Sequence, residues 1–141
     1  MPPKLTHVHL KVNDISTVVP FYQQVFDMKT TEDLGTFVFL SNDETHHILA
    51  LQETANPFPN PQKLYHIAFE VESENDFNSF AHKLTNHNIP YQAVDHGISW
   101  AIYFNDPEEN GLEIFLDRRN APGGIKKWDG VTKCLSIPPN S

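Results

Sequence analysis

The sequence lacks the features that would send a chain out of the cell, into a bilayer or onto a nucleic acid. It has a single cysteine, Cys134. One thiol closes no internal disulfide and builds no cysteine-based metal cage, so it reads as a spare group near the C-terminus. No run of about 18 apolar residues occurs, so no transmembrane helix is written here. The start, MPPKLTHVHL, lacks the apolar core of a secretory signal, and a cytoplasmic location is the expectation. Basic residues are also scarce: 10 Lys and Arg stand against 18 Asp and Glu, a formal net charge of −8. That balance repels phosphate backbones and anionic membranes, so neither nucleic acid nor membrane is an expected partner.

What the chain has in excess is histidine, 8 of 141 residues. A chain of this length buries one hydrophobic core, and a single domain over 1–141 is expected. Inside it the sequence repeats itself. LTHVHLKV at 5–12 and LYHIAFEV at 64–71 both run Leu, any residue, His, then an alternating apolar strand ending in Val. A helix follows each copy. The first carries Val18, Phe21, Tyr22, Val25 and Phe26 at helical spacing, with Asp14 or Ser16 as its cap and Pro20 in an early turn. The second carries Phe77, Phe80, Ala81 and Leu84 behind Ser73.

Short β-like runs come next: TFVFL at 36–40 and HILALQ at 47–52, then WAIYF at 100–104 and LEIFL at 112–116, with a weaker strand around Tyr91 to Val94. NDPEENG joins the last two, and its Asn110-Gly111 suits the positive φ of a tight hairpin. Each half reads β-α-β-β-β, module one over about 4–54 and module two over about 64–117. Between them ANPFPNPQK, 55–63, has too much proline for helix or central strand and serves as the linker. Residues 118–141 form an irregular tail, pinned to the body by Ile125, Trp128, Val131 and Leu135. Neither half suffices for a core alone, so the expected class is α+β: paired βαβββ modules forming a curled, cleft-bearing mixed sheet.

The repeat sorts the histidines. His7 aligns with His66, whereas His9 aligns with Ala68. Equivalent first strands related by a pseudo-twofold would let His7 and His66 converge near the axis. A third partner is Glu113, between Leu112 and Ile114, where a carboxylate is costly unless paired or bound to a cation. Two imidazoles and one carboxylate are the ligand set of non-haem Fe(II) sites that keep positions open for substrate and oxygen. A strand histidine is often a surface or satisfied core residue, and Glu113 alone fits an exposed edge as well; the repeat is what ties the three together.

HVHLKVND followed by FYQQVF, then HIAFEV, then DHGISWAIYFNDPEENGLEIF, resembles the vicinal oxygen chelate superfamily, also called the glyoxalase, bleomycin-resistance and extradiol dioxygenase superfamily. The resemblance covers roughly residues 5–117. It implies paired βαβββ modules and a divalent metal at His7, His66 and Glu113, Fe(II) first and Mn(II) as the other ion this set accepts. In glyoxalase I enzymes a fourth ligand comes from the last strand of the first module. Aligning LAL at 49–51 with LEI at 112–114 puts Ala50 there, and alanine binds no metal. Gln52 would substitute only with a register shift.

HHILAL is similar to the segment of extradiol dioxygenases in which a histidine three residues before the alanine acts as acid-base, which selects His47. Strict alternation would instead put His46 on Ala50's face, and the choice between them stays open. DHGISWAIYF is similar to the stretch that carries a pocket histidine, here His96, and a hydrogen-bonding phenol, here Tyr103. Phe39, Trp100 and Phe115 are candidates for an aromatic-friendly pocket wall. His9, His82 and His87 are assigned to structure or surface.

Taken together, the resemblance implies a one-domain, Fe(II)-dependent extradiol dioxygenase of aromatic compound catabolism. It would open a catecholic ring with O2, take a small aromatic diol as substrate and form a homodimer. A fold shared by several chemistries leaves two alternatives. One is a glyoxalase-like isomerase or thiol transferase using Ni(II) or Zn(II), against which Ala50 argues. The other is a non-catalytic resistance protein that binds a drug without metal, against which the intact His7, His66 and Glu113 set argues.

Overall fold

Alternation in VHLKV sends Leu10 and Val12 to one side of a strand, and both are buried in β1, Val8–Val12, of a computed structural model. The structure describes residues 5, 7–54 and 64–140, so the expected linker at 55–63 lies outside the described residues. The chain divides into two compact units, Met1–Gln62 and Lys63–Ser141.

In the first unit β1 is followed by α1, Ile15–Phe26, then β2, Lys29–Asp33, β3, Phe37–Ser41, and β4, Leu49–Glu53. The sheet order is β1-β4-β3-β2, with β1 parallel to β4 and the other pairs antiparallel. Of the two candidate caps, Asp14 does the work: its backbone is extended and its carboxylate accepts the Ser16 N–H at 3.0 Å. Pro20 falls inside α1, in its second turn, where it forgoes the bond to the Ser16 carbonyl. Val18, Tyr22 and Val25 form the buried stripe of α1, and Leu49, Leu51, Val38 and Leu40 form the buried rows of the sheet. Each such side chain contributes about 1.5–3 kcal/mol on burial.

β2 escapes sequence reading because KTTED has no apolar residue and every position is exposed. It is an edge strand held through backbone pairing with β3, which leaves no hydrophobic period to read. Three of the patterned runs begin as strands later than expected. HILALQ yields a strand only from Leu49, and the two repeated motifs yield strands only from Val8 and Ile67.

The second unit repeats the plan with β5, Ile67–Glu70, α2, Glu74–Asn86, β6, Gln92–Asp95, β7, Ser99–Asn105, and β8, Gly111–Asp117, in the order β5-β8-β7-β6. Ser73 caps α2 by accepting the Asp76 N–H. The class is α+β, two βαβββ sheets each carrying one helix, as expected. The hairpin before β8 is built differently from the Asn110-Gly111 expectation. Glu109 takes the positive φ of 66°, while Asp106 accepts N–H bonds from Glu108 and Asn110. Gly111 is required by crowding instead, since a Cβ there would lie 2.1 Å from the Tyr65 carbonyl oxygen.

The tail is less irregular than its sequence suggests. Lys133–Cys134 forms a short strand, β9, antiparallel to β6, and the Leu135 N–H donates to the Ala93 carbonyl at 3.1 Å. Ile125 is tied down by its N–H to the Gly97 carbonyl. Trp128 and Val131 are largely exposed and do not pin the tail by burial.

The Ser16 and Thr17 hydroxyls donate to Asp14 and hold its carboxyl below the ordinary 3.8. A lowered folded-state pKa stabilises above the unfolded value and is lost as pH falls through the folded one. Asp14→Ala is therefore expected to lower Tm at neutral pH, with the gap to the parent protein shrinking below pH 3.8. Melts followed by circular dichroism check this; an undiminished gap in acid would deny the cap its charge.

Candidate metal and acid-base centre

In the second sheet Glu113 occupies the middle of β8, paired with Ala68 of β5 on one side and Tyr103 of β7 on the other. Its neighbours Leu112 and Ile114 turn to the opposite, helix-covered face, which leaves a carboxylate only 6% exposed among apolar rows. His66, one residue ahead of β5, places Nε2 3.4 Å from Glu113 Oε1, too far for a strong hydrogen bond. His66 Nδ1 is buried with no hydrogen-bond partner among the described residues.

Across the ladder, the Tyr103 hydroxyl bonds to Glu113 and lies 3.0 Å from His96 Nε2. His96 Nδ1 in turn lies 2.8 Å from the Thr132 hydroxyl. Burial first, then the charge and hydrogen bond of Glu113 and the charge of Tyr65, push the Tyr103 phenol up to about 12. It therefore stays a protonated donor through the neutral range. A cavity of about 560 Å³ has Tyr65, His66, Tyr91, His96, Tyr103 and Thr132 in its wall, while Glu113 does not line it. That volume suits a small organic ligand.

The first sheet places Ala50 where the second has Glu113. Ala50 pairs with His9 and Phe39, as Glu113 pairs with Ala68 and Tyr103. His7, like His66, stands one residue before its strand. Its ring lies 4.5 Å from that of His47, and His47 lies 4.7 Å from Phe39. His46 Nδ1 is 2.9 Å from His47 Nδ1, and His46 Nε2 is 2.8 Å from Glu32 Oε1. Alternation does not separate the two histidines, because both precede β4 in irregular backbone and both rings touch Phe39. Burial, followed by His7 and His46, lowers the His47 pKa below the ordinary imidazole value. Gln52 is engaged with His9, Oε1 to Nε2 at 3.0 Å.

The pocket-wall candidates separate. Phe39 borders His46 and His47, and Phe115 shares the face of Glu113. Trp100 lies on the helix side of the second sheet, with Phe77 of α2 at 5.6 Å and the Arg118 guanidinium at 4.1 Å from its ring. His82 bonds the tail through the Pro138 carbonyl at 2.7 Å. Two partners were invisible in the sequence: Glu32, from the featureless KTTED, and Thr132, 36 residues beyond its histidine.

Glu113 and His66 fit a divalent cation. Two donors at about 2.1 Å from one ion are about 3.0–3.4 Å apart, which suits the observed pair better than a hydrogen bond does. Among the described residues, no three His, Cys, Asp or Glu side chains are gathered closely enough to hold an ion. A complete site on this pair needs a further ligand from elsewhere.

A model of the Glyoxalase/Bleomycin resistance protein/Dioxygenase superfamily matches residues 4–114. The chain is 25% identical over 125 residues to biphenyl-2,3-diol 1,2-dioxygenase 2 of Rhodococcus globerulus, covering 85% of this chain and 66% of that protein. It is 26% identical over 120 residues to catechol-2,3-dioxygenase of Bacillus subtilis strain 168, covering 80% and 42%. The chain thus spans less than two thirds of these relatives. Among solved structures, lactoylglutathione lyase from Agrobacterium tumefaciens superposes with a TM-score of 0.68 at 20% identity, over 85% of this chain and 98% of that one. At that identity the likeness is one of fold.

Replacing Tyr103 by Phe tests the electrostatics of the centre. Phenolate absorbance after rapid alkaline mixing is expected to lose a transition near pH 12, raised from the ordinary 10.0. Loss of a transition near the ordinary value would mean that Tyr103 is neither buried nor coupled to Glu113.

Proposed function

Because the chain belongs to the Glyoxalase/Bleomycin resistance protein/Dioxygenase superfamily, we propose that it is a metal-dependent extradiol-type dioxygenase that opens a catecholic ring with O2. The observation that carries this reading is the buried Glu113, flanked by His66 at 3.4 Å and by the Tyr103 phenol across the strand. His7, the counterpart of His66 in the repeat, is the proposed third ligand. Ala50 supplies no fourth, in keeping with a metal that keeps positions free for a diol and for oxygen. Fe(II) is the proposed ion, and Mn(II) accepts the same set.

The ion that Glu113, His66 and His7 would hold would supply Lewis acidity that lowers the pKa of a diol substrate's hydroxyls. The side chains divide the remaining work. Glu113, in the middle of β8, and His66, directly ahead of β5, would offer the ion an oxygen and a nitrogen donor. Tyr103, protonated at working pH, donates a hydrogen bond to a substrate oxygen. His47, in ring contact with His7, takes the proton that the diol releases. His96 steadies Tyr103 from behind. The overall change consumes one O2 per diol, both of its atoms entering the ring-opened product.

Anaerobic loading with Fe(II), followed by oxygen uptake with a panel of catechols, tests the reading. One O2 consumed per catechol is expected, and His47→Ala should keep the iron while slowing turnover about 10²–10⁴-fold. Verified iron with no uptake across the panel, or activity that needs Ni(II) or Zn(II) and consumes no oxygen, would replace it with the isomerase or transferase chemistry.

A further inference from the structure

We infer that Thr132 is a positioning residue: through its hydrogen bond to His96 Nδ1, the C-terminal tail orients the His96 ring and so holds its Nε2 against the Tyr103 hydroxyl. The inference deepens the dioxygenase reading and rests on it for its catalytic consequence. Its structural half stands on the contacts of His96 with Thr132 and Tyr103.

The chain of bonds has one self-consistent polarity, set from its buried end. Tyr103 stands opposite Glu113 on the ladder, and its hydroxyl donates to that side chain. The Tyr103 oxygen then accepts from His96, which requires the His96 proton on Nε2, 3.0 Å away. A neutral imidazole protonated on Nε2 is an acceptor at Nδ1, and the partner 2.8 Å from Nδ1 is the rotatable Thr132 hydroxyl, acting as donor. Every proton along Thr132, His96 and Tyr103 thus points toward the carboxylate beside the proposed metal. When substrate arrives, the same phenol can turn its proton to a substrate oxygen without any other group changing tautomer.

Thr132 is held in place by more than its own bond. Its neighbour Lys133 pairs with Asp95, the residue before His96, where β9 adds to β6. Ile125 donates its N–H to the carbonyl of Gly97, the residue after His96, and its side chain stands 2.7 Å from where a Gly97 Cβ would be. Gly97 has a φ of +80°, so the turn needs glycine for conformation as well as for space. Trp128 sets its ring edge-on to His96 at 6.3 Å. The segment from Ile125 to Cys134 therefore grips the His96 turn from both flanks, and Thr132 is the one side chain in that grip that hydrogen-bonds the imidazole.

The test uses the metal-free full chain labelled with 15N-histidine, with long-range proton–nitrogen correlation at about pH 8.5, where imidazole is neutral. His96 is expected to carry its proton on Nε2 and to show an Nδ1 shift typical of a hydrogen-bonded acceptor. Thr132→Val and Thr132→Ala should lose that shift, and Thr132→Ser should keep it; two variants at an exposed position guard against one that misfolds. A proton on Nδ1 in the parent protein, or an Nδ1 shift unchanged in Thr132→Val, overturns the assignment. In iron-loaded protein, Thr132→Val should lower kcat for catechol roughly three- to tenfold with KM little changed. A lost shift with unaltered kcat would remove the catalytic half. A parent protein without catechol turnover would sink the dioxygenase reading alone, because the tautomer result is read in the absence of metal.

Discussion

A carboxylate buried in the middle of a sheet is the constraint from which the second half of this protein is organised. Left alone, Glu113 would cost several kcal/mol of desolvation. Strand alternation gives its neighbours Leu112 and Ile114 to the helix-covered core and isolates Glu113 on the other face, so it must be answered by groups on that face. The Tyr103 phenol answers from the adjacent strand and His66 from the start of the parallel one. At 3.4 Å the His66 contact is too long for a strong hydrogen bond, so it satisfies the Glu113 charge only in part.

The two sheets share a plan and diverge at the same ladder positions. Where the second has Glu113 and Tyr103, the first has Ala50 and Phe39. The first copy carries no carboxylate at that rung, and the rings of His46 and His47 pack against Phe39 beside it. His7 sits at the position equivalent to His66, while His46 and His47 approach over Phe39. Duplication supplies the scaffold, and loss of symmetry at these few rungs makes room for chemistry. In the proposed reading the asymmetry has a clear purpose, since a metal with three protein ligands retains positions for a bidentate substrate and oxygen.

Much of this was legible in the sequence because it depends on period and repetition. The 59-residue repeat marked a helix in each half, with Asp14 or Ser16 as the first cap and Ser73 as the second, and it aligned His7 with His66. The apolar flanks of Glu113 marked it as misplaced in an ordinary core. What stayed hidden carries no period. β2 is wholly exposed and held by backbone bonds, and β9 is two residues long. The hairpin residue with positive φ is Glu109 rather than the expected Asn110-Gly111, because Asp106 organises that loop through its own hydrogen bonds. Glu32 and Thr132 come from polar segments far along the chain from His46 and His96, so only the folded ladders bring them close. Trp100 looked like a pocket wall by composition, yet one step of strand alternation turns it toward α2.

The central claim is that Glu113, His66 and His7 share one divalent ion, and pulsed electron paramagnetic resonance on Mn(II)-loaded protein tests it most directly. The account predicts one ion per chain with couplings from two imidazole nitrogens, reduced to one in either His7→Ala or His66→Ala. An ion whose nitrogen couplings are untouched by both substitutions would contradict it.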